Sequence, residues 1–118
     1  MNTNTKKLPD NIKTWVDALE SGDWDQTTVC LHDGSGYCCI GVYAKVVLGL
    51  SDKSLIGELD HNGYPVPEDG PTTAYRKVRS SLNIPPNNYS NVYNIGMEMN
   101  DDGESFVDIA KMIRESYA

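Results

Sequence analysis

The longest apolar stretch in the chain, Val42 to Leu50, is broken by Lys45 and Gly49. It falls well short of the roughly 20 apolar residues that span a bilayer. From Ile40 onward, Tyr43, Val46, Val47 and Leu50 recur at helical spacing. A helix apolar on most of its sides has to be surrounded, so this segment is expected at the centre of the fold. The chain has 118 residues, the usual size of one domain. A domain of that length buries roughly two thirds of its unfolded surface, so it needs neither a disulfide nor a metal to fold.

The other elements have to cover that helix. Pro9 suits a first helical turn, and Ile12, Trp15, Val16 and Leu19 follow on one face. Gly22 is a helix stop, which gives a helix over 9–21. Thr27 to His32 is rich in β-branched residues, Asp33-Gly34-Ser35-Gly36 is turn material, and Tyr37-Cys38-Cys39 can return as a strand. A second hairpin is expected over 55–66, turning at His61-Asn62-Gly63. Residues 73–82 read as a helix with Val78 and Leu82 inward. Ser90 is placed to cap a fourth helix carrying Val92, Ile95 and Met99, with Asn100 ending it. Ser105 caps a last helix that buries Phe106, Ile109, Ala110 and Ile113, with Asp108 three residues on as in a capping box. The expectation is α+β: one compact domain of about five helices with one or two small β-hairpins. Residues 1–8 form a disordered polar tail and 9–118 the single globular domain.

The formal net charge is −7, which disfavours long-range attraction to nucleic acid or anionic lipid. The three cysteines, Cys30, Cys38 and Cys39, are odd in number and two are adjacent, a poor disulfide framework. Residues 1–8 lack an apolar core, so no signal peptide is expected. A cytoplasmic location follows by elimination.

Three segments resemble a family of small, uncharacterised phage and prophage proteins. Residues Trp15-Val16-Asp17-Ala18-Leu19-Glu20-Ser21-Gly22-Asp23-Trp24-Asp25-Gln26 are similar to its opening, W-V-x-A-L-x-S-G-x-aromatic-x-Q. Tyr37-Cys38-Cys39-Ile40-Gly41-Val42 resembles its aromatic-C-C-L-G-V core. Met99-Asn100-Asp101-Asp102-Gly103-Glu104-Ser105-Phe106, followed by Ile109-Ala110, resembles L-N-D-x-G-x-S-F-x-x-I-A. The resemblance implies a phage accessory gene working in the host bacterial cytoplasm. Since such genes often act against bacterial defence, it also suggests counter-defence.

No motif supplies a complete catalytic set. Cys39 near a helix N-terminus, with His32 one hairpin away, would be the pair of a cysteine hydrolase, but the apolar run around it favours core packing. Cys30 and His32 share a strand face and would be half of a metal site, whereas Cys38 and Cys39 point to opposite faces. Glu98 to Gly103 imitates part of a calcium loop, yet Ile109 stands where the bidentate glutamate belongs. No cofactor and no metal is assigned.

The one local excess of positive charge is Arg76, Lys77 and Arg79 beside Tyr75. On a helix Arg76 and Arg79 share a face, and Tyr75 neighbours Arg79. Either this is a solvated face paired with nearby carboxylates, or the arginines hold phosphate while a ring stacks on a base. Trp24, in a polar loop, either closes over the core or stacks on a ligand, and Gln26 has the groups to bond a base edge. The candidate ligand-binding set is therefore Trp24, Gln26, Tyr75, Arg76 and Arg79. The leading expectation is a non-enzymatic protein that sequesters a small nucleotide-like immune signal, with a homo-oligomer as one way to enclose it. The alternative is an acidic inhibitor that covers a basic patch on a host defence protein.

Overall fold

A computed structural model describes residues 8–28, 31–32, 35–52, 55, 71–83 and 91–117. Among them are five helices: α1 Asp10–Ser21, α2 Cys39–Val46, α3 Pro71–Ser81, α4 Val92–Asp101 and α5 Phe106–Ser116. Helix α2 packs against α1, α3 and α4, and α5 closes the outside by packing on both α1 and α4. Every residue from Cys39 to Ala44 is buried, as its apolar circumference requires. Among the described residues, no helix is long and apolar enough to cross a membrane.

The described residues contain no strand, so the domain is mainly helical and the α+β expectation is corrected. Where the first hairpin was expected there are two isolated bridges, both made by Tyr37: one parallel to Gln26 and one antiparallel to His32. The cause is local. Cys38 is the N-cap of α2, with its sulphur accepting from the Gly41 N–H, so helical geometry begins at Cys39. Little of the return side is left to pair: the Cys38 N–H donates to the Leu31 carbonyl at 3.1 Å, and Tyr37 makes the other contacts. Its N–H donates to Asp25 O at 2.8 Å and its carbonyl accepts from Thr27 N at 2.9 Å. Strand propensity is a weak preference and gives way to such context. The second expected hairpin lies outside the described residues apart from Leu55, which is buried. So do the expected tail, except Leu8, and the proposed cap Ser90.

The amphipathic helices sit as their periodicity demands. Ile12, Trp15, Val16 and Leu19 of α1 are buried, as are Phe106, Ile109, Ala110 and Ile113 of α5. Val78 and Leu82 also point inward. Gly22 ends α1 with φ at 80°, left-handed, where a side chain would be strained. Ser105 Oγ accepts from the Asp108 N–H at 3.1 Å, the first half of a capping box. Helix α4 differs from expectation. Asn91 caps it by accepting from the Asn94 N–H at 2.8 Å, and its buried face is Val92, Tyr93, Gly96 and Asn100. Ile95 and Met99 are only half-buried.

Two polar side chains tie the core together. Trp15 Nε1 donates to the Cys39 carbonyl at 2.8 Å, while its ring meets that of Tyr43 edge-on at 5.1 Å. The Tyr43 hydroxyl accepts from Asn11 Nδ2 at 2.8 Å and lies 2.6 Å from Ser81 Oγ, joining α1, α2 and α3. Gly41 allows the closest approach. A Cβ there would collide with the Leu31 carbonyl, so only glycine lets α2 lie against that backbone.

Candidate functional site

The three motif segments meet at one side chain. Asn100 is fully buried. Its Oδ1 accepts from the Cys39 N–H at 3.0 Å and from Gln26 Nε2 at 3.1 Å. Its Nδ2 donates to the Thr27 carbonyl at 2.7 Å. Gln26 Nε2 spends its second hydrogen on the Glu104 carbonyl at 2.6 Å. Buried polar groups need such partners, and here they tie the start of α2 and the α1–α2 connection to the end of α4. The amide hydrogens of Gln26 are thus engaged within the fold, leaving its Oε1 for any ligand.

Trp24 packs edge-on against Tyr37 with centroids 5.0 Å apart. Tyr37 in turn stacks on His32 at 4.0 Å and 9°. The Tyr37 hydroxyl donates to Asp52 Oδ1 at 2.7 Å, and Lys45 Nζ reaches the same oxygen at 2.9 Å. Burial, and then the bond to Asp52, pushes the Tyr37 phenol up to about 12. It therefore remains a donor at any physiological pH. The Lys45 contact first, and the Tyr37 contact second, hold the Asp52 carboxyl below its ordinary value. His32 is nearly buried, with Nδ1 2.8 Å from the Gly36 carbonyl and Nε2 3.7 Å from Asp52 Oδ2. This ladder of three rings was not foreseen from the sequence. Its signal was faint, because Asp52 is separated from Tyr37 by the whole of α2.

The cysteine pair is not laid out for catalysis. Cys39 is fully buried, and burial first, then the neighbouring Cys38, pushes its thiol well above the ordinary value. A thiolate is the nucleophile, so Cys39 belongs to the core. Cys30 lies outside the described residues. Among the described residues, no three His, Cys, Asp or Glu side chains gather closely enough to hold a metal.

The remaining candidates lie on α3. Arg76 and Lys77 are exposed, while Tyr75 and Arg79 are half-buried. The Arg79 guanidinium carbon stands 5.7 Å from the centroid of the Tyr93 ring, which fixes its direction through a cation–π contact. Tyr93 is itself buried, and that burial raises its phenol. Among the described residues neither Arg76 nor Lys77 forms an ion pair. The five candidate residues therefore fall into two settings. Trp24 and Gln26 sit on the α1–α2 connection with partners in the fold, and Tyr75, Arg76 and Arg79 sit together on α3.

These features define a mainly helical domain with a buried central helix and one cationic outer face. Over residues 8–88 it matches the family described as "Domain of unknown function (DUF8296)", and it belongs to that family. The matched region contains α1 to α3 and the first two motif segments, and ends before the third. No curated protein and no solved structure matches the chain.

Proposed function

We propose that this is a non-enzymatic binding protein whose α3 face takes a small, phosphate-bearing, nucleotide-like ligand. The observation that carries the reading is the cationic run Arg76, Lys77 and Arg79 on a chain of net charge −7, with Arg79 held over Tyr93. Guanidinium groups bind phosphate oxygens bidentately. One arginine fixed against a ring loses less freedom on binding than a free one. The surrounding negative charge repels a polyanion over a Debye length of about 8 Å. A ligand with one to three phosphates meets mainly the local patch. The motif resemblance supplies the setting: a phage counter-defence protein that sequesters an immune signal in the host bacterial cytoplasm.

A thermal-shift panel of cyclic dinucleotides, cyclic oligonucleotides and ADP-ribose derivatives tests this. A ligand at 100 times its Kd stabilises the native state by about 2.7 kcal/mol, or on the order of 10 °C for a domain of this size. The expected result is one responsive class, whose effect disappears in Arg76→Ala. A flat panel, or an undiminished shift in that exposed-site variant, would refute the reading.

A further inference from the structure

Tyr93 and Arg79 carry hydrogen-bond donors that the fold does not use. Tyr93 lies on the inner face of α4 and is only 5% exposed. Among the described residues its hydroxyl has no hydrogen-bond partner. No fully buried side-chain oxygen or nitrogen among them is left unpaired, so the Tyr93 oxygen reaches the surface although its ring does not. Arg79 is half-buried, and among the described residues its guanidinium likewise makes no hydrogen bond and no ion pair. It stands 5.7 Å from the centre of the same ring. Two unspent donor groups, one from α3 and one from α4, are therefore held side by side by packing.

We propose that Tyr93 is a binding residue of the α3 site: its hydroxyl donates to a non-bridging oxygen of a phosphate group that the Arg79 fork also holds. This rests on the reading of the α3 face given above, and it places the phosphate at the seam between α3 and α4 instead of on the outer surface of α3. Polar groups inside a protein are ordinarily paired. Donors that packing fixes in place, with no acceptor in the fold, are satisfied by an acceptor from outside. The charge on Arg79 makes that acceptor an anion. The oxygens of a carboxylate lie in one plane, whereas those of a phosphate diverge from the plane of the guanidinium, which suits donors on two different elements. Burial raises the Tyr93 phenol above its ordinary value against the smaller opposing effect of Arg79, so the hydroxyl keeps its proton at physiological pH. A buried ring also has little rotamer freedom to lose when the ligand arrives. Arg76, one turn before Arg79, is exposed and stands on the same face of α3, where it meets the outer part of the ligand.

The test is calorimetric titration of the full chain with cyclic di-AMP, cyclic tri-AMP and ADP-ribose, in the native sequence, Tyr93→Phe and Arg76→Ala. Phenylalanine keeps the ring beneath Arg79 and removes only the hydroxyl. That hydroxyl makes no bond within the fold, so the free variant keeps the native melting temperature. The expected result is a loss of at least about tenfold in affinity for the nucleotide that the native sequence binds, the size of one hydrogen bond to a charged group. Undiminished affinity in Tyr93→Phe together with a loss in Arg76→Ala would overturn this inference and leave the reading of the α3 face standing. Binding of none of the three by the native sequence would overturn both. A lower melting temperature for free Tyr93→Phe would show the hydroxyl to be bonded within the fold, and would also overturn the inference.

Discussion

Replacing Asn100 with leucine isolates what holds the three motif segments together. Leucine is similar in size and leaves little room for a replacement water. Its side chain can neither accept from the Cys39 N–H nor donate to the Thr27 carbonyl. A buried polar group left unmet costs about 1–3 kcal/mol. The Cys39 amide is buried and bears the full penalty, whereas half-buried Thr27 recovers part of it from solvent. The freed hydrogen of exposed Gln26 rehydrates, and its bond to Glu104 persists. The total is therefore about 2–4 kcal/mol, a large share of the roughly 5–15 kcal/mol that holds a domain folded. Gln26→Ala, at the exposed rim of the same knot, costs about 1 kcal/mol. Urea denaturation followed by far-ultraviolet circular dichroism measures both, and an unchanged slope shows that the unfolded states are comparable. If Asn100→Leu costs no more than Gln26→Ala, the knot is not what anchors α2 to α4.

Three further outcomes are expected. Gly41→Ala drives a methyl group into the Leu31 carbonyl; since both sides are backbone, it costs about 1–3 kcal/mol or more, read as a large fall in melting temperature. Cys39 stays inert to a thiol reagent in the folded protein and reacts on unfolding; rapid native-state labelling of Cys39 by mass spectrometry would contradict its burial. Arg114 bonds both Glu20 oxygens, at 2.6 and 2.9 Å, and Asp17 at 3.2 Å, so Arg114→Ala costs about 1 kcal/mol or less at these exposed positions. The sign of its pH dependence is fixed. Lys13 first lowers the Asp17 carboxyl and Arg114 first lowers that of Glu20. Their contribution is present above the unfolded carboxylate values and is lost as pH falls through the depressed ones. Arg114→Ala should therefore flatten part of the acid limb of stability, and an acid limb unchanged by the variant would remove the clamp.

Much of the helical frame was legible because it is written in periodicity. The apolar faces of α1 and α5 repeat at helical spacing, and Gly22 and Ser105 mark their ends by local chemistry. The centrality of α2 was legible from its apolar circumference. The hairpin was misread because Thr27 to Cys39 carries strand-forming residues, while the capping by Cys38 that starts α2 depends on a sulphur acceptor with no strong sequence signature. The inner face of α4 was misread for a related reason. Gly96 and Asn100 look like turn or surface residues, yet one admits the Cys39 sulphur, 3.4 Å from where a Cβ would stand, and the other is the buried hydrogen-bond hub. As for the site, the cationic face of α3 could be read from the charge pattern alone. That Gln26 belongs to the Asn100 knot could not, because residues 26, 100 and 104 meet only through the fold.

The central claim, sequestration without chemistry, is tested most directly by titration calorimetry with the ligand found in the panel. The bound ligand is then recovered from heat-denatured protein. The account predicts saturable binding that is lost in Arg76→Ala combined with Arg79→Ala, and a ligand returned unaltered. Equal affinity in the double variant, or recovery of a converted product, would contradict it.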